Sequence, residues 1–368
     1  MAKRVPSPLV KLRGHGRGVS SIAYCNLNGS PYLISGDDEG SVLIWDLLTF
    51  KKYRAFKSLV KSRILSLRVF GLKIQEQQSK VIAVQSRDHG LHIIDLEQAI
   101  SADPSTTDPA TVAAFPIFES LFSRGDSKNI DENRALLAYP SYLENHLVSI
   151  RVLGANAETQ ISGTARREAE KGEKSRSVFD IILREFEHAG SFLLFVAYED
   201  GFICAFMIKI GIAELEIRQI REIDLNIRDF VSAFDVLTDG PNITAVLGSP
   251  LNNLIFLSGP LQPDCEIEPS NIATKRPGVA AIKIRPDKKI VVVAGWDTKV
   301  HLYSMKSKKL LVSLESHTEL VQDVLFIEKP VIHDSPSTSG EFESSSFDTK
   351  HLICCASKDG TISVHDIY

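Results

Sequence analysis

In this chain of 368 residues, the acidic run Asp37-Asp38-Glu39 is the first group with chemical capacity. Several carboxylates close together could supply oxygen ligands to a hard cation. The run lies within residues 33–47, LISGDDEGSVLIWDL, where apolar stretches flank it on both sides. The competing reading is a tight turn between two buried strands. Gly14, Gly16 and Gly18 around His15 and Arg17 have the look of a phosphate cradle. No Lys-Ser/Thr pair follows them, and no strand-loop-helix context surrounds them. The chain lacks HExxH, GxSxG and kinase signatures. Its His, Ser and Asp residues could meet only in space, so the sequence leaves a triad open. The five cysteines, Cys25, Cys204, Cys265, Cys354 and Cys355, are odd in number, scattered and without a CxxC pair. That pattern argues against a disulfide framework or a zinc site and for small buried residues in a reducing compartment.

The bulk properties narrow the classes further. A formal net charge of -4 gives no general affinity for nucleic acid or anionic membranes, and 43% hydrophobic residues are ample for a core. The opening MAKRVPSPLVKLRGHG lacks the apolar centre of a secretory signal. No apolar run approaches the ~18 residues that span a bilayer. Asn28 and Asn242 head glycosylation patterns that carry no weight without secretion. The expectation is a soluble intracellular protein, monomeric by itself and without a cofactor.

The acidic corner recurs, and this decides between turn and cation site. Glu39 stands six residues before Trp45, Asp88 before Ile94, Asp200 before Phe206, Asp297 before Tyr303 and Asp359 before His365. Each has an apolar, β-branched run upstream and a second run downstream, as in a hairpin. The neighbouring acids do not recur, so the corner is a turn. Successive corners are 49, 112, 97 and 62 residues apart. The two long gaps place hidden corners near residues 144 and 250, where Glu144 precedes Ile150 by six and a Ser-Pro-Leu-Asn turn divides two apolar runs. Seven units of about fifty residues match a β-propeller with four strands per blade. A helical solenoid would need longer runs with 3.6-residue periodicity and caps.

The inner strands are apolar at consecutive positions, as Val42, Leu43, Ile44 and Trp45 show, which fits a blade packed on both faces. The last unit stops after its third strand, and Pro8 to Leu12 belongs to no unit. The expectation is one all-β domain over residues 1–368, a seven-bladed ring closed by N- and C-terminal strands in the last blade. Residues 162–177 are charged, and residues 332–350 are rich in Ser, Thr and acids. Both read as surface insertions, the first with a helical charge pattern.

The segment from Gly14-His15 through Ser35 to Trp45-Asp46 resembles a WD repeat, as do the runs from Ala294 to Asp297 and from Ser357 to Thr361. In that family a His, a Ser or Thr, a corner Asp and a Trp form a hydrogen-bonded relay within one blade. The resemblance implies those roles for His15, Ser35, Glu39 (where Asp is usual) and Trp45. It implies His317 and Asp359 in the last repeat, with His365 at the Trp position, and corner roles for Asp88, Asp200 and Asp297. Most repeats keep only the acid, so packing rather than polar networks is expected to hold them. Length, good first and last repeats, eroded middle blades and GWDTKVHLY together resemble the fungal ASTRA-associated WD-repeat proteins, relatives of the animal G-protein β-subunit-like proteins. That resemblance implies a non-catalytic scaffold subunit of a chromatin-linked assembly with the Tel2-Tti cochaperone proteins, in the nucleus and also the cytoplasm.

Trp296 sits immediately before its corner acid, on the loop between second and third strands. The corresponding residues are Asp38, Arg87, Glu199 and Lys358. This mixed set suits a protein-binding rim and offers no aromatic cage for methyl-lysine. Trp296 either packs on the neighbouring blade or anchors a partner. An interaction scaffold leads the function classes, a propeller reading a linear peptide or histone motif at its central channel mouth is second, and an enzyme or metal protein comes third.

Overall fold

The computed structural model describes residues 6–367 apart from 58–60, 75–76, 102–110, 118–122, 155–158, 168–176, 188–189, 212–213, 228–229, 263, 266, 268, 275–277 and 329–350. Seven four-stranded antiparallel sheets, each a meander from an innermost strand a to an outermost strand d, form blades 1 to 7. The a strands are Val19–Leu27, Ile64–Ile74, Asp126–Asn129, Val178–Glu185, Ala233–Asp239, Val279–Ile284 and Val321–Glu328. Each packs on the next, and the seventh packs back on the first, so the ring is closed. Strands b are buried on both faces, completely so in Ala135–Pro140 and His351–Ser357. Continuous apolar runs are what such a sandwiched strand requires, and burial of that apolar surface is the main stabilising term.

Closure is made by two distant segments. Val10–Arg13 pairs antiparallel with Thr361–Ile367, in the register Val10↔Val364, Lys11↔Ser363, Leu12↔Ile362 and Arg13↔Thr361. The N–H of Leu9 extends the ladder to the Val364 carbonyl at 2.8 Å, and Leu12 is buried. Blade 7 thus takes its outer strand from the beginning of the chain, as the sequence expects.

One expectation needs correction. Residues 162–166 belong to strand Thr159–Arg166, the outer strand of blade 3, paired with Leu147–Leu153. Their small and polar side chains suit an outermost strand, which only half faces the core. The remainder of that proposed insertion falls mostly on 168–176, and the other, 332–350, lies wholly outside the described residues. A short helix, Leu96–Ser101, was not foreseen; the Asp95 carboxylate caps it by accepting the Gln98 N–H at 3.0 Å.

Neighbouring blades interlock through a repeated device. The Ser20 hydroxyl of blade 1 donates to the carbonyl of Ile64 in blade 2 at 2.6 Å. Beside it, the space where a Gly36 Cβ would stand is filled by the Ile64 side chain, 2.7 Å away. Blades 5 and 6 repeat this: Ser232 donates to the Val279 carbonyl at 2.7 Å, and Val279 crowds the Cβ position of Gly248 at 2.7 Å. Nearer the axis, carboxylates accept backbone N–H groups from the next blade. Asp323 takes Ile22 at 3.0 Å, Asp126 takes Leu183 at 2.9 Å, and Asp235 takes Ile284 at 2.8 Å.

Gly248→Ala forces a methyl against Val279 and is expected to destabilise by ~1–3 kcal/mol, as overpacking does. Gly16→Ala, with open space around it, should leave the protein nearly unchanged. Urea denaturation of both variants checks this; equal midpoints would show that the glycine seat contributes nothing.

Candidate interaction face

The relay of blade 1 is complete but uses a different acid from the one expected. His15 Nδ1 donates to Asp37 Oδ2 at 3.0 Å, and its Nε2 accepts the Ser35 hydroxyl at 2.7 Å. The Ser35 oxygen in turn accepts the Trp45 indole N–H at 2.8 Å. Asp37 Oδ1 accepts the N–H groups of Glu39 and Ser41 at 3.0 and 2.8 Å, which shapes the turn. Glu39 instead pairs with exposed Arg17 at 2.7 Å. Asp37 closes strand b with its carboxylate toward His15, whereas Glu39 sits on the outside of the turn. Burial pushes the Asp37 carboxyl up, but the hydrogen bonds from His15 and from the turn outweigh it and hold the group below its ordinary value.

Blade 7 rebuilds the relay with another hydroxyl. His317 Nδ1 donates to Asp359 at 3.0 Å and its Nε2 meets Ser363 Oγ at 2.8 Å. Ser363 comes from strand c (Thr361–Ile367), because buried Cys355 occupies the position that Ser35 fills in blade 1. His365, at the Trp position, lies 3.1 Å from Ser363 and 3.2 Å from Ser316. Burial drives its pKa down to about 4.

The other corners also carry polar ties, which corrects the expectation of packing alone. Asp297 holds His301 at 3.2 Å, and Asp88 accepts the Ser62 hydroxyl at 2.8 Å. Asp200 takes Arg167 at 2.6 Å; the same guanidinium forks onto Glu222 at 2.7 and 2.9 Å and lies 4.0 Å over the Phe202 ring. Each blade keeps its corner with whatever donors its own sequence offers. All of these groups pin loops.

The loops they pin share one face. Asp38, Arg87, Glu199, Trp296 and Lys358 occupy equivalent places: each donates its backbone N–H to the residue just before its own strand a. The acceptors are Gly18, Arg63, Ser177, Gly278 and Leu320, at 3.0, 2.9, 3.0, 3.1 and 3.0 Å. In the same five blades the second residue of strand a is a bulge, formed by Ser20, Leu65, Phe179, Ala280 and Gln322. The structure therefore brings the five rim residues to one level around the channel. Trp296 is 47% exposed and lies on Gly278.

Three further residues escaped the sequence reading. Tyr142 and Leu143, 59% and 74% exposed, stand on the b–c loop of blade 3, and Leu251, 49% exposed, on that of blade 5. With Trp296 they make four of the nine large apolar side chains exposed among the described residues, all on one face. Leu143 precedes Glu144 just as Trp296 precedes Asp297, so the register of corners already carried the signal.

At the centre of this face the channel opens into a cavity of about 430 Å³ bordered by Phe179, Phe230, Trp296, Arg63, Arg124 and Lys358. Phe179 and Phe230 stack with centroids 4.4 Å apart. A second cavity of about 330 Å³ is lined in part by Arg68, Asp126 and Arg184; Arg68 meets Asp126 at 2.9 Å and Arg184 meets Asp235 at 2.6 Å. Burial pushes the Asp180 carboxyl up to about 6, against the pull of Arg124 and Lys283. Among the described residues no three His, Cys, Asp or Glu side chains are grouped to hold a metal ion. Burial raises the Cys25 thiol to about 11 and that of Cys354 to about 12, which suppresses the reactive thiolate.

Comparison with known proteins agrees with this architecture. The family model described as "WD domain, G-beta repeat" matches residues 6–46. Over nearly its whole length the chain is similar to ASTRA-associated protein 1 of Aspergillus niger, with 21% identity over 98% of this chain and 97% of that one. It is 22% identical to the protein of that name in Schizosaccharomyces japonicus, over 99% and 100% of the two chains. It is 24% identical to mouse guanine nucleotide-binding protein subunit beta-like protein 1, over 99% and 97%. The crystal structure of the computationally designed Ika8 protein matches 98% of this chain and all of that chain, with a TM-score of 0.56 and 13% identity, a likeness of fold alone.

Two outcomes follow for the relays. Trp45 is 2% exposed, and Trp45→Ala should cost ~3–5 kcal/mol in chemical denaturation. His365 is neutral in the folded protein, whereas an unfolded histidine takes up a proton near pH 6.5. Its contribution is therefore complete above pH 6.5, is lost as the pH falls to about 4, and is constant below. His365→Gln should remove a slope worth on the order of 3 kcal/mol across that window. An unaltered pH profile of stability between 6.5 and 4 would show that His365 titrates normally.

Proposed function

We propose that this WD-repeat β-propeller is a non-catalytic interaction subunit that receives its protein partner on the face carrying the b–c loops. The observation that supports this most directly is the concentration of exposed Tyr142, Leu143, Leu251 and Trp296 on the loops of one face. Isolated exposed apolar residues are ordinary, but a group on one side of a rigid ring is what a docking surface needs. WD-repeat propellers are in general interaction scaffolds. The full-length similarity to proteins named ASTRA-associated protein 1 supports membership of an ASTRA-type chromatin-linked assembly. The Tel2-Tti cochaperone proteins are the proposed neighbours there, with the nucleus as the main location and the cytoplasm as a second. A second reading, recognition of a linear peptide at the channel mouth, is favoured by the stacked Phe179 and Phe230 at the entrance.

Trp296→Ala and Leu143→Ala should each leave the melting temperature nearly unchanged, because neither side chain is buried. Each should lower recovery of partner proteins from tagged cells, with a loss on the order of 2 kcal/mol for a true anchor. Leu311→Ala, exposed on the outer strand of blade 6, is the control. Equal recovery for all three variants would place the interface elsewhere. Recovery of a stable complex without Tel2-Tti proteins would overturn that assignment and leave the docking face standing.

A further inference from the structure

The mouth of the channel is chemically divided. Its mainly apolar half comes from consecutive blades: Phe179 from blade 4, Phe230 from the entry to blade 5, and Trp296 from blade 6, with the Asp180 carboxyl beside Phe179 interacting with Arg124 of the other half. Its cationic half comes from the rest of the ring: Lys358 from blade 7, Arg63 from the entry to blade 2 and Arg124 from the entry to blade 3. Acids approach the cationic half but do not close on it. Asp38 stays 3.4 Å from Arg63, and Asp323 stays 3.5 Å from Arg124. Arg124 and Arg87 each lie near enough to Arg63 to repel it.

Gln322 sits among these cations, only 3% exposed, and its Nε2 has no hydrogen-bond partner among the described residues. Its carboxamide oxygen is used by Arg63 and its backbone carbonyl by Arg124, at 3.0 Å for the latter. Gln322 lines the mouth, and its Nε2 lies just beneath that surface without an acceptor. A buried donor left in that state costs free energy that an incoming acceptor recovers. Opposite, the indole of Trp296 rests directly on Gly278, where a Cβ would fall 2.2 Å from the ring. Gly278 has φ of 89°, so no other residue keeps that seat comfortably.

We propose that this mouth receives a linear segment of a partner protein in which an Asp or Glu side chain lies close to a bulky apolar one. The carboxylate is held by Arg63, Arg124, Lys358 and the Gln322 Nε2 donor, and the apolar side chain enters against Phe179, Phe230 and Trp296. The division of the mouth fixes the orientation, with the acidic end toward blades 7 to 3 and the apolar end toward blades 4 to 6. This inference rests on the reading of the b–c face as the docking face and adds the chemistry of the occupant.

A random dodecapeptide phage library selected on the purified full chain tests it, with affinities of the synthesised peptides read by fluorescence polarisation. The expected peptides place Asp or Glu near Leu, Phe or Trp. Their affinity should fall about tenfold in Trp296→Ala and in Lys358→Glu, as for interface anchors and close charge pairs. It should fall in Gly278→Ala, which dislodges the indole, and weaken steadily with added salt. Leu311→Ala should bind like the parent. Failure to select any peptide, selection of peptides without an acid, or affinities indifferent to Lys358→Glu would each overturn the proposal. Loss of complex recovery in Trp296→Ala alongside any of those results would show that the docking face is right and this occupant wrong.

Discussion

The structure depends on closing a ring from sheets that cannot stand alone. Each blade is apolar on both faces, and each face is covered only by the neighbouring blade. An open row of seven would leave two such faces in water and a backbone edge unpaired. The ladder between Val10–Arg13 and Thr361–Ile367 removes both problems at once by making blade 7 from the two ends of the chain. Leu12 then becomes part of the core that blades 7 and 1 share, alongside Trp45 and Ile362. Closure therefore couples a hydrogen-bonded ladder to the burial of the first blade.

A closed ring relieves its loops of structural duty once their corners are pinned. The pins differ widely: a His–Asp–Ser–Trp relay in blade 1, a Ser363 substitute in blade 7, an arginine fork in blade 4 and a serine in blade 2. What the corners have in common is backbone geometry, the N–H of the rim residue reaching the carbonyl that precedes strand a. Because that bond uses no side chain, the rim side chain is free to vary. Hence one structural position holds two acids, Asp38 and Glu199, two cations, Arg87 and Lys358, and the indole of Trp296.

The parts legible in the sequence are those imposed by burial on two faces. Unbroken runs such as Ile290–Gly295 and Ser191–Tyr198, followed by tight turns, announce the b–c hairpins, and the spacing of their corners reveals even blades 3 and 5. The unpaired first strand and the incomplete last unit announce closure. Less legible are choices between near-equivalent groups. Asp37, Asp38 and Glu39 are consecutive acids, and only the pleat of strand b decides which of them meets His15. Residues 162–166 of strand Thr159–Arg166 read as part of an insertion because an outermost strand keeps few apolar residues. The polar corner of blade 4 was hidden because Arg167 and Glu222 lie 55 residues apart and neither matches a WD position.

The separation between ring and rim also explains how the chemistry of the mouth can be divided so sharply. Bulge residues on strand a point toward the opening, and the bulge exists to fit the strand to the loop above it, whatever side chain it carries. Phe179 and Gln322 fill equivalent bulges on nearly opposite sides of the channel, one apolar and one polar, with the same backbone around them. The ring thus holds a set of addressable positions at fixed distances. An apolar cluster on blades 4 to 6 and cations on blades 7 to 3 can coexist across a cavity of about 430 Å³ without either disturbing the core. Fixed spacing between unlike groups is what lets a binding surface discriminate by orientation as well as by composition.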